Sequence, residues 1–329
     1  YRYNAYPILR RGWTEEQKSL VWEDAAPVLE EMKGWLGRHD KEPFFLWIHL
    51  FDAHSPNRPD PSLRRLVRPG YEAARRRFLD RLLGLEGVSL QAFRGSEARL
   101  LKIYAGYHAE IARPNRGLDR LFRGFAQRSM LDGSIWILIG DHGEGLGSHG
   151  VLGHGVDLYG EAVRVPLLVH DPRGGLRARR LAAVVEHTQL PPSLLELAGL
   201  GLPARAAQPW TNRLFGPETA VDERIALIQR RDFTGVTRHR GRDEFAEPYE
   251  TGEKFALRSA GWWYILRSDG RTELFDLGKD PYERTNLAGR GLPDEKRLDA
   301  ELRARIGKLR SVARRPLEPD AETAERLHA

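Results

Sequence analysis

A short apolar run followed by a loop of glycines and histidines constrains this chain more than any other feature. Residues 135–139 read Ile-Trp-Ile-Leu-Ile and lie between Gly133 and Gly140. A short, unbroken apolar run with turn residues at both ends is typical of a strand buried on both faces, as in a parallel sheet. Polar residues directly after such a strand lie at the edge of the sheet where α/β proteins bind ligands.

The loop after this run carries an unusual number of groups that can bind a metal or an anion. Asp141 and His142 follow the run directly, and Glu144, His149 and His154 come next in a loop with six glycines. An Asp-His-Gly turn alone closes many strands without any chemical role. Three imidazoles and two carboxylates in a loop with little side-chain bulk instead indicate a metal or anion site.

A second apolar run has the same organisation. Residues 44–51, Phe-Phe-Leu-Trp-Ile-His-Leu-Phe, predict another buried strand, and His54 lies in the Asp-Ala-His-Ser-Pro sequence that follows. Helical spacing of apolar residues precedes the two runs, at residues 14–36 and 96–128, and Pro114 is expected to kink or split the second helix. The alternation of helices and strands predicts an α/β fold with a mostly parallel central sheet flanked by helices.

The last third of the chain has a different pattern. Residues 262–267 and 272–277 are short apolar segments joined by a Ser-Asp-Gly-Arg turn, which predicts a β-hairpin. Apolar residues at helical spacing after residue 297 predict a terminal helix. We therefore predict an α/β domain at residues 1–222 and a small antiparallel subdomain with a terminal helix at residues 223–329.

Composition excludes some classes of site and partner. The chain has no cysteine, which excludes disulfides and cysteine-bound metals. Its 52 basic and 46 acidic residues are interspersed, and no nucleic-acid-binding motif accompanies the net charge of +6, so we expect no nucleic-acid partner. No apolar stretch approaches the length of a membrane span. Localisation and oligomeric state stay open.

Several motifs occur in an order that resembles one enzyme family. They are Phe-rich residues 44–51 with the following Asp-Ala-His-Ser-Pro, Gly-Asp-His-Gly-Glu at 140–144, Leu-Tyr-Gly-Glu-Ala-Val-Arg-Val-Pro at 158–166, and Asp-Leu-Gly-Lys-Asp-Pro-Tyr-Glu-Arg-Thr-Asn-Leu at 276–287. Together they resemble the later part of the catalytic domain and the C-terminal subdomain of sulfatases, which belong to the alkaline phosphatase superfamily. The resemblance implies an alkaline phosphatase-like fold and hydrolysis of sulfuric esters.

The resemblance also implies roles for five residues. Asp141 and His142 match two ligands of a divalent cation, usually calcium in the family, while the imidazole of His142 keeps zinc or manganese open. His54 matches a histidine that contacts the sulfate and the leaving-group oxygen. His154 takes the place of a sulfate-binding lysine, and His149 is a further substrate-binding candidate. The expected substrate is a small-molecule or glycan sulfate ester.

One part of the family pattern has no counterpart in the sequence. The formylglycine nucleophile of sulfatases arises from Cys or Ser in Cys/Ser-x-Pro-x-Arg, and we expect it, with two further metal-binding acids, in an N-terminal segment absent from this chain. The alternatives are a phosphodiesterase, phosphonate hydrolase or phosphoethanolamine transferase of the same superfamily. A degenerate, non-catalytic binding homologue is a third hypothesis, favoured by the altered motif positions Ala53, Asn57, Pro114 and Gln189.

Overall fold

The computed structural model describes most of the chain in several stretches. They are residues 25–39, 41, 43–50, 72–85, 88, 93, 95–127, 130–173, 180–181, 183–202, 209–211, 224–231 and 252–311. His54 lies outside the described residues, as does the start of the helix that was predicted from residue 14. The predicted domain boundary at residues 222 and 223 also lies outside them and stays a prediction.

In the part of the chain that the structure describes, four helices precede the first strand. They are α1 (Ala25–His39), α2 (Glu72–Asp80), α3 (Glu97–Gln127) and α4 (Met130–Gly133), and α2 continues as a π-helical turn at Arg81–Leu85. None of the helices in the described stretches is both long enough and apolar enough to cross a membrane.

Helix α3 runs through Pro114 without a break, so the predicted split is wrong. Tertiary packing holds the helix on both sides of the proline. Leu100 and Tyr104 are buried in a cluster with Leu79 and Phe93, while Phe125 is buried in a separate cluster with α1. Burial at both ends offsets the one amide hydrogen bond that a proline removes from a helix.

The central part of the chain forms two small antiparallel ladders. Its elements are β1 (Trp136–Ile139), β2 (Gly145–Leu146), β3 (Leu152–Gly153), α5 (Gly160–Val163), β4 (Leu167–His170), a 3₁₀ turn (His187–Gln189) and α6 (Leu190–Leu197). Strand β1 pairs with β4, so that Leu138 faces Leu168, and β2 pairs with β3.

One face of the β1–β4 ladder is better covered by the described residues than the other. Ile137 and Ile139 pack against Leu190 and Trp210 on the better covered face. On the other face Trp136 packs against Phe125, while Leu138 is 42% exposed and Leu168 is 59% exposed. The prediction of a strand buried on both faces is therefore wrong for the described part of the chain.

Residues 43–50 alternate like a strand but have no assigned strand hydrogen bonding. Leu46 and Ile48 pack into the cluster of α1 and β1, whereas Phe45 is 69% exposed and Trp47 is 63% exposed. Every strand pair in the described stretches is antiparallel, so the predicted parallel central sheet is not found there. The mixed α/β class with a small antiparallel sheet is confirmed.

The described residues of the C-terminal part form a four-stranded antiparallel sheet with one helix. Its elements are β5 (Ala226–Arg230), β6 (Lys254–Arg258), β7 (Trp262–Arg267), β8 (Thr272–Asp276) and α7 (Pro293–Ser311). The strands pair in the order β5-β6-β7-β8. Leu298 and Leu302 of α7 pack against Phe255 and Tyr264 on one face. The predicted hairpin and terminal helix are confirmed.

The other face of this sheet supports the glycine-rich loop. Leu158 packs against Trp263, Ile265 and Phe275, and the indole Nε1 of Trp263 donates a hydrogen bond of 3.0 Å to the carbonyl of Leu158. The sheet therefore lies between α7 and the loop that carries the candidate ligands.

Candidate active site

Two glycines let the loop after β1 pack tightly against α5. The amide of Gly143 donates to the carbonyl of Ala162 at 2.8 Å, and the amide of Glu144 donates to the carbonyl of Glu161 at 3.0 Å. A Cβ on Gly143 would lie 2.1 Å from the carbonyl oxygen of Glu161, and one on Gly145 would lie 2.7 Å from that of Gly153. A side chain at either position would overlap the backbone, so glycine is required on both sides of Glu144.

The β2–β3 hairpin brings Glu144 and His154 together. Gly145 is opposite Gly153 in the ladder, so the residues just before β2 and just after β3 are neighbours across the base of the hairpin. The Nδ1 of His154 lies 2.9 Å from Oε2 of Glu144. The rings of His142 and His154 stack with centroids 4.0 Å apart. The potential ligands His142, Glu144 and His154 therefore lie close together, although His142 and His154 are twelve residues apart in the sequence.

Asp141 stands beside this group with two imidazoles near its carboxylate. Its Oδ1 accepts a 2.9 Å hydrogen bond from the amide of His142, and its Oδ2 lies 3.6 Å from Nε2 of His142 and 3.8 Å from Nε2 of His49. Burial raises the pKa of Asp141, but the His142 amide and the imidazoles outweigh it and hold that pKa below its ordinary value. Asp141 is therefore ionised at neutral pH.

The tautomer of His142 follows from its hydrogen bond. Its Nδ1 lies 2.8 Å from the carbonyl oxygen of Gly143, which can only accept, so Nδ1 carries the proton. In the neutral ring Nε2 then has the free lone pair, and that atom is on the side of Asp141. This arrangement suits a metal ligand, because a ligating imidazole commonly donates its other N–H to a carbonyl.

His149 lies in a different set of contacts from the other candidates. Its Nδ1 is 3.2 Å from Oε1 of Glu161, and its Nε2 donates to the carbonyl of Glu283 at 3.0 Å. The ring stacks on Tyr159 with centroids 3.8 Å apart, and Ser148 donates a short hydrogen bond to Glu161. Both ring nitrogens are occupied by the protein itself.

Charge and burial shift the pKa values in this second network. Burial lowers the pKa of His149, but the hydrogen bond and charge of Glu161 outweigh it, so the pKa lies above the ordinary value. Burial raises the pKa of Glu283, against the opposing effect of its 2.9 Å hydrogen bond from the amide of Gly160. Glu283 also has φ of 55°, a left-handed conformation uncommon for a non-glycine residue.

A buried ion-pair network fixes the chain just after His154. Asp157 lies 2.8 Å from Nζ of Lys254 and 3.2 Å from Nη2 of Arg267, and all three side chains are at least nine-tenths buried. Arg267 also contacts Glu273 at 2.6 Å, and Glu273 accepts a 2.7 Å hydrogen bond from Tyr159. The ligand loop is therefore tied to strands β6, β7 and β8.

Comparison with known proteins decides the family. The Sulfatase family model matches residues 8–200. The chain belongs to the sulfatase family. An arylsulfatase of Clostridium perfringens is 24% identical over 325 residues, which cover 93% of this chain and 59% of that enzyme. Arylsulfatase K of Bos taurus is 28% identical over 215 residues, which cover 64% of this chain and 38% of the relative. The chain spans less than two thirds of these curated relatives.

Solved structures agree with the sulfatase assignment at the level of the fold. A Bacteroides fragilis structure assigned to the sulfatases has a TM-score of 0.65 at 20% identity, covering 86% of this chain and 57% of that chain. A structure in complex with its substrate D-glucosamine-2-N,6-O-disulfate has a TM-score of 0.56 at 20% identity, covering 66% and 43%. The phosphonate monoester hydrolase of Agrobacterium radiobacter has a TM-score of 0.51 at 23% identity, covering 65% and 42%.

The structure brings together three of the five predicted site residues of this sulfatase-family chain. Asp141, His142 and His154 are neighbours beyond the end of β1, and His149 is held in the separate network with Glu161 and Glu283. His54 is outside the described residues. The roles of all five stay predictions.

Sequence reasoning missed three residues of the site region. His49 approaches Asp141, and its signal was a histidine near the end of the predicted strand 44–51. Glu161 and Glu283 meet at His149 although 122 residues separate them in the sequence. The sequence evidence for these two residues was that each lies in a motif, Leu-Tyr-x-Glu for Glu161 and Asp-Pro-x-Glu for Glu283. In the structure the two motifs meet at His149.

The donor atoms test which ion the predicted metal ligands fit. Asp141 offers an ionised oxygen and His142 offers Nε2, and these two groups are close enough to share one divalent ion. Calcium takes about six to eight oxygen ligands, so this pair would supply only a small part of a calcium site. An imidazole beside a carboxylate is the donor set that zinc and manganese accept.

Proposed function

We propose that the protein is a sulfuric ester hydrolase whose site lies at the end of β1. The observation that carries the proposal is the convergence of an ionised Asp141 with the imidazoles of His142 and His49, next to the His154–Glu144 pair. A sulfate ester is a tetrahedral anion, so its recognition and cleavage need positive charge and proton donors at one place. This end of the strand is also where ligands bind in α/β folds.

Asp141 and His142 are the proposed ligands of a divalent cation in this site. Such a cation, when bound, withdraws charge from a sulfate oxygen and so favours attack at sulfur. The family resemblance favours calcium, with zinc or manganese as alternatives. The proposed nucleophile is a formylglycine carried by polypeptide N-terminal to the residues of this chain.

His154 is the proposed general acid. Its Nδ1 is bound to Glu144, so the ring has a fixed orientation and Nε2 is the atom that holds a proton for the leaving alkoxide. Glu144 also stabilises the protonated ring by its negative charge. The proposed contact of His54 with the sulfate comes from the resemblance, and substrate contact by His149 would require release of Glu161 or Glu283.

The fold proposed for the complete site is the mostly parallel central sheet of the alkaline phosphatase superfamily. Four apolar side chains on and near the β1–β4 ladder support it, because they are exposed where a further strand or helix would cover them. They are Phe45, Trp47, Leu138 and Leu168. The relatives contain polypeptide beyond the part that this chain matches, and such polypeptide is the proposed cover.

The proposed substrate is a small-molecule or glycan sulfate ester. The test uses the full-length gene product with matched aryl sulfate, aryl phosphate and phosphonate monoester substrates. We expect the highest kcat/KM on the sulfate, and a loss of about 10²-fold or more in His154→Asn, in line with removal of a proton-transfer group. His170→Asn, an exposed histidine on β4, is the matched control and should keep wild-type turnover.

The outcomes separate the sulfatase from its competitors. Unchanged turnover of the sulfate ester by the His154→Asn variant would show that His154 is not the general acid. A higher kcat/KM on the phosphate or phosphonate ester would favour the second candidate, a phosphoester or phosphonate hydrolase, which the nitrogen ligand at His142 supports. Binding of sulfate esters without turnover by a formylglycine-containing product would favour the non-catalytic homologue.

A further inference from the structure

Three side chains of the ligand loop form a cluster that overlaps the Asp141–His142 pair at His142 alone. His142, Glu144 and His154 each offer one ligand atom, and these atoms all lie within 4.8 Å of one another. Glu144 and His154 are largely shielded, with side chains 17% and 28% exposed, while His142 is 40% exposed. One side of the cluster is therefore open to solvent and the other is enclosed.

We propose that His142, Glu144 and His154 form a two-histidine, one-carboxylate site for a zinc-class transition metal. The site shares His142 with the pair discussed above but uses Glu144 in place of Asp141 as its carboxylate. Metal binding needs neither a nucleophile nor an ester, so the site does not rest on the proposed function. Zinc binding by His154 and its role as a general acid are alternative states, because a metal on Nδ1 replaces the contact with Glu144.

The spacing of the ligand atoms suits this class of ion. Zinc–nitrogen bonds of about 2.0–2.1 Å in a tetrahedron place neighbouring ligand atoms about 3.3 Å apart. The Nδ1 of His154 and Oε2 of Glu144 are 2.9 Å apart, and all three ligand atoms lie within 4.8 Å of one another. Side-chain rotations that unstack the rings of His142 and His154 would bring the three ligands to that spacing. Three protein ligands leave the fourth tetrahedral position open, as in catalytic zinc sites.

The backbone holds the three ligands without help from a metal. Glu144 is fixed by the hydrogen bond from its amide to Glu161, and the Gly145–Gly153 pair of the hairpin sets its distance from His154. His142 is oriented by its Nδ1 hydrogen bond to Gly143, which leaves Nε2 for a metal. A preformed arrangement of this kind reduces the ordering cost of binding an ion.

The chemistry of the donors disfavours calcium at this cluster. Two of the three donors are imidazole nitrogens, which zinc, cobalt and nickel bind well and calcium binds poorly. One carboxylate and the loop carbonyls would have to supply a calcium shell of about six to eight oxygens. We therefore expect selectivity for zinc over calcium in the protein as it stands.

Isothermal titration calorimetry with zinc chloride and calcium chloride tests the site on the intact chain without any ester. We expect one zinc ion to bind per chain, and we expect the affinity for calcium to be lower by at least about tenfold. Glu144→Gln and His154→Asn should each weaken zinc binding by at least about tenfold, since loss of even an outer partner of a metal ligand costs that much. Asp141→Asn should weaken zinc binding less than Glu144→Gln does, because Asp141 only adjoins the ligand atom of His142. The control His170→Asn should change zinc affinity by less than about threefold.

Further measurements distinguish lost ligands from lost structure. Circular dichroism of each variant checks its fold, and thermal unfolding of the wild type with and without zinc reports binding without any substitution. A raised melting temperature with zinc but not calcium supports the site.

The proposal is overturned if wild-type protein binds no zinc, if calcium binds as tightly, or if folded Glu144→Gln keeps wild-type zinc affinity. Loss of zinc binding in Asp141→Asn with retention in Glu144→Gln would assign the ion to Asp141 and His142. Zinc binding without sulfate turnover would leave the metal site standing and count against the hydrolase alone.

Discussion

Replacing Asp157 with asparagine tests whether the ion pairs behind the ligand loop hold it in place. The carboxylate of Asp157 contacts Nζ of Lys254 at 2.8 Å and Nη2 of Arg267 at 3.2 Å. Arg267 keeps Glu273 at 2.6 Å after the substitution, and Lys254 keeps the carbonyl of Val156 at 3.2 Å. The main effect is therefore at Lys254, whose ammonium group is 2% exposed and loses the charge of the Asp157 carboxylate.

The expected cost is large for this reason. Breaking a buried ion pair by removing one partner destabilises proteins by about 3–5 kcal/mol. The hydrogen bond from Lys254 to Val156 persists, so we expect the lower end, about 3 kcal/mol. That is a substantial fraction of the roughly 5–15 kcal/mol that stabilises a typical domain.

Urea denaturation followed by tryptophan fluorescence measures the change in unfolding free energy. The control is Asp269→Asn, because Asp269 pairs with Arg271 in an exposed turn, and its loss should leave the free energy nearly unchanged. The double variant Asp157→Leu with Lys254→Met removes both charges and should recover most of the loss. If Asp157→Asn lowers the unfolding free energy by less than about 1 kcal/mol, or if the double variant recovers none of the loss, the buried charge of Lys254 does not depend on Asp157.

Three further predictions concern the same region and its support. Gly143→Ala should destabilise by more than about 1 kcal/mol, because its Cβ would overlap a carbonyl oxygen, whereas Gly124→Ala, with open space inside α3, should stabilise by about 0.5–1 kcal/mol; equal urea midpoints would contradict this. Ser193→Ala should cost about 1–3 kcal/mol in urea denaturation, since the buried amide of Trp210 loses its acceptor at 2.9 Å; a neutral result would show that another group accepts. The raised pKa of His149 gives stability that is present below pH 6.5 and is lost as the pH rises through the folded-state pKa. His149→Gln should therefore flatten the fall in unfolding free energy as the pH rises above 6.5, and an unchanged pH profile would exclude His149 as its source.

The parts of the fold that short-range chemistry determines were predictable. The Ser-Asp-Gly-Arg turn and its flanking apolar residues locate the β7–β8 hairpin, and the spacing after residue 297 locates α7. The long helix was also predictable, but its continuity through Pro114 was not. That continuity depends on the separate clusters around Leu100 and Phe125, which sequence spacing does not place in space.

The site was predictable where its residues share one loop. Asp141, His142 and His154 lie within a hairpin whose glycines force close approach, so proximity in sequence becomes proximity in space. Partners that come from distant elements were not predictable, as His49 and Glu283 illustrate. Periodicity also cannot tell whether an apolar strand has neighbours on both faces, which is why the exposure of Leu138 was not foreseen.

Glu283 gives the C-terminal subdomain a part in assembling the ligand loop. Its carbonyl accepts a hydrogen bond from the His149 ring, and its carboxylate accepts one from the amide of Gly160. One residue therefore holds both ends of the loop segment that contains His154. A polypeptide shortened before residue 280 would retain every candidate ligand in its sequence but would lose these two hydrogen bonds of Glu283. Its binding groups would then depend for their alignment on the hairpin and on the contacts of Asp157 and Leu158 with the sheet, so the segment between His149 and Gly160 would be held less tightly.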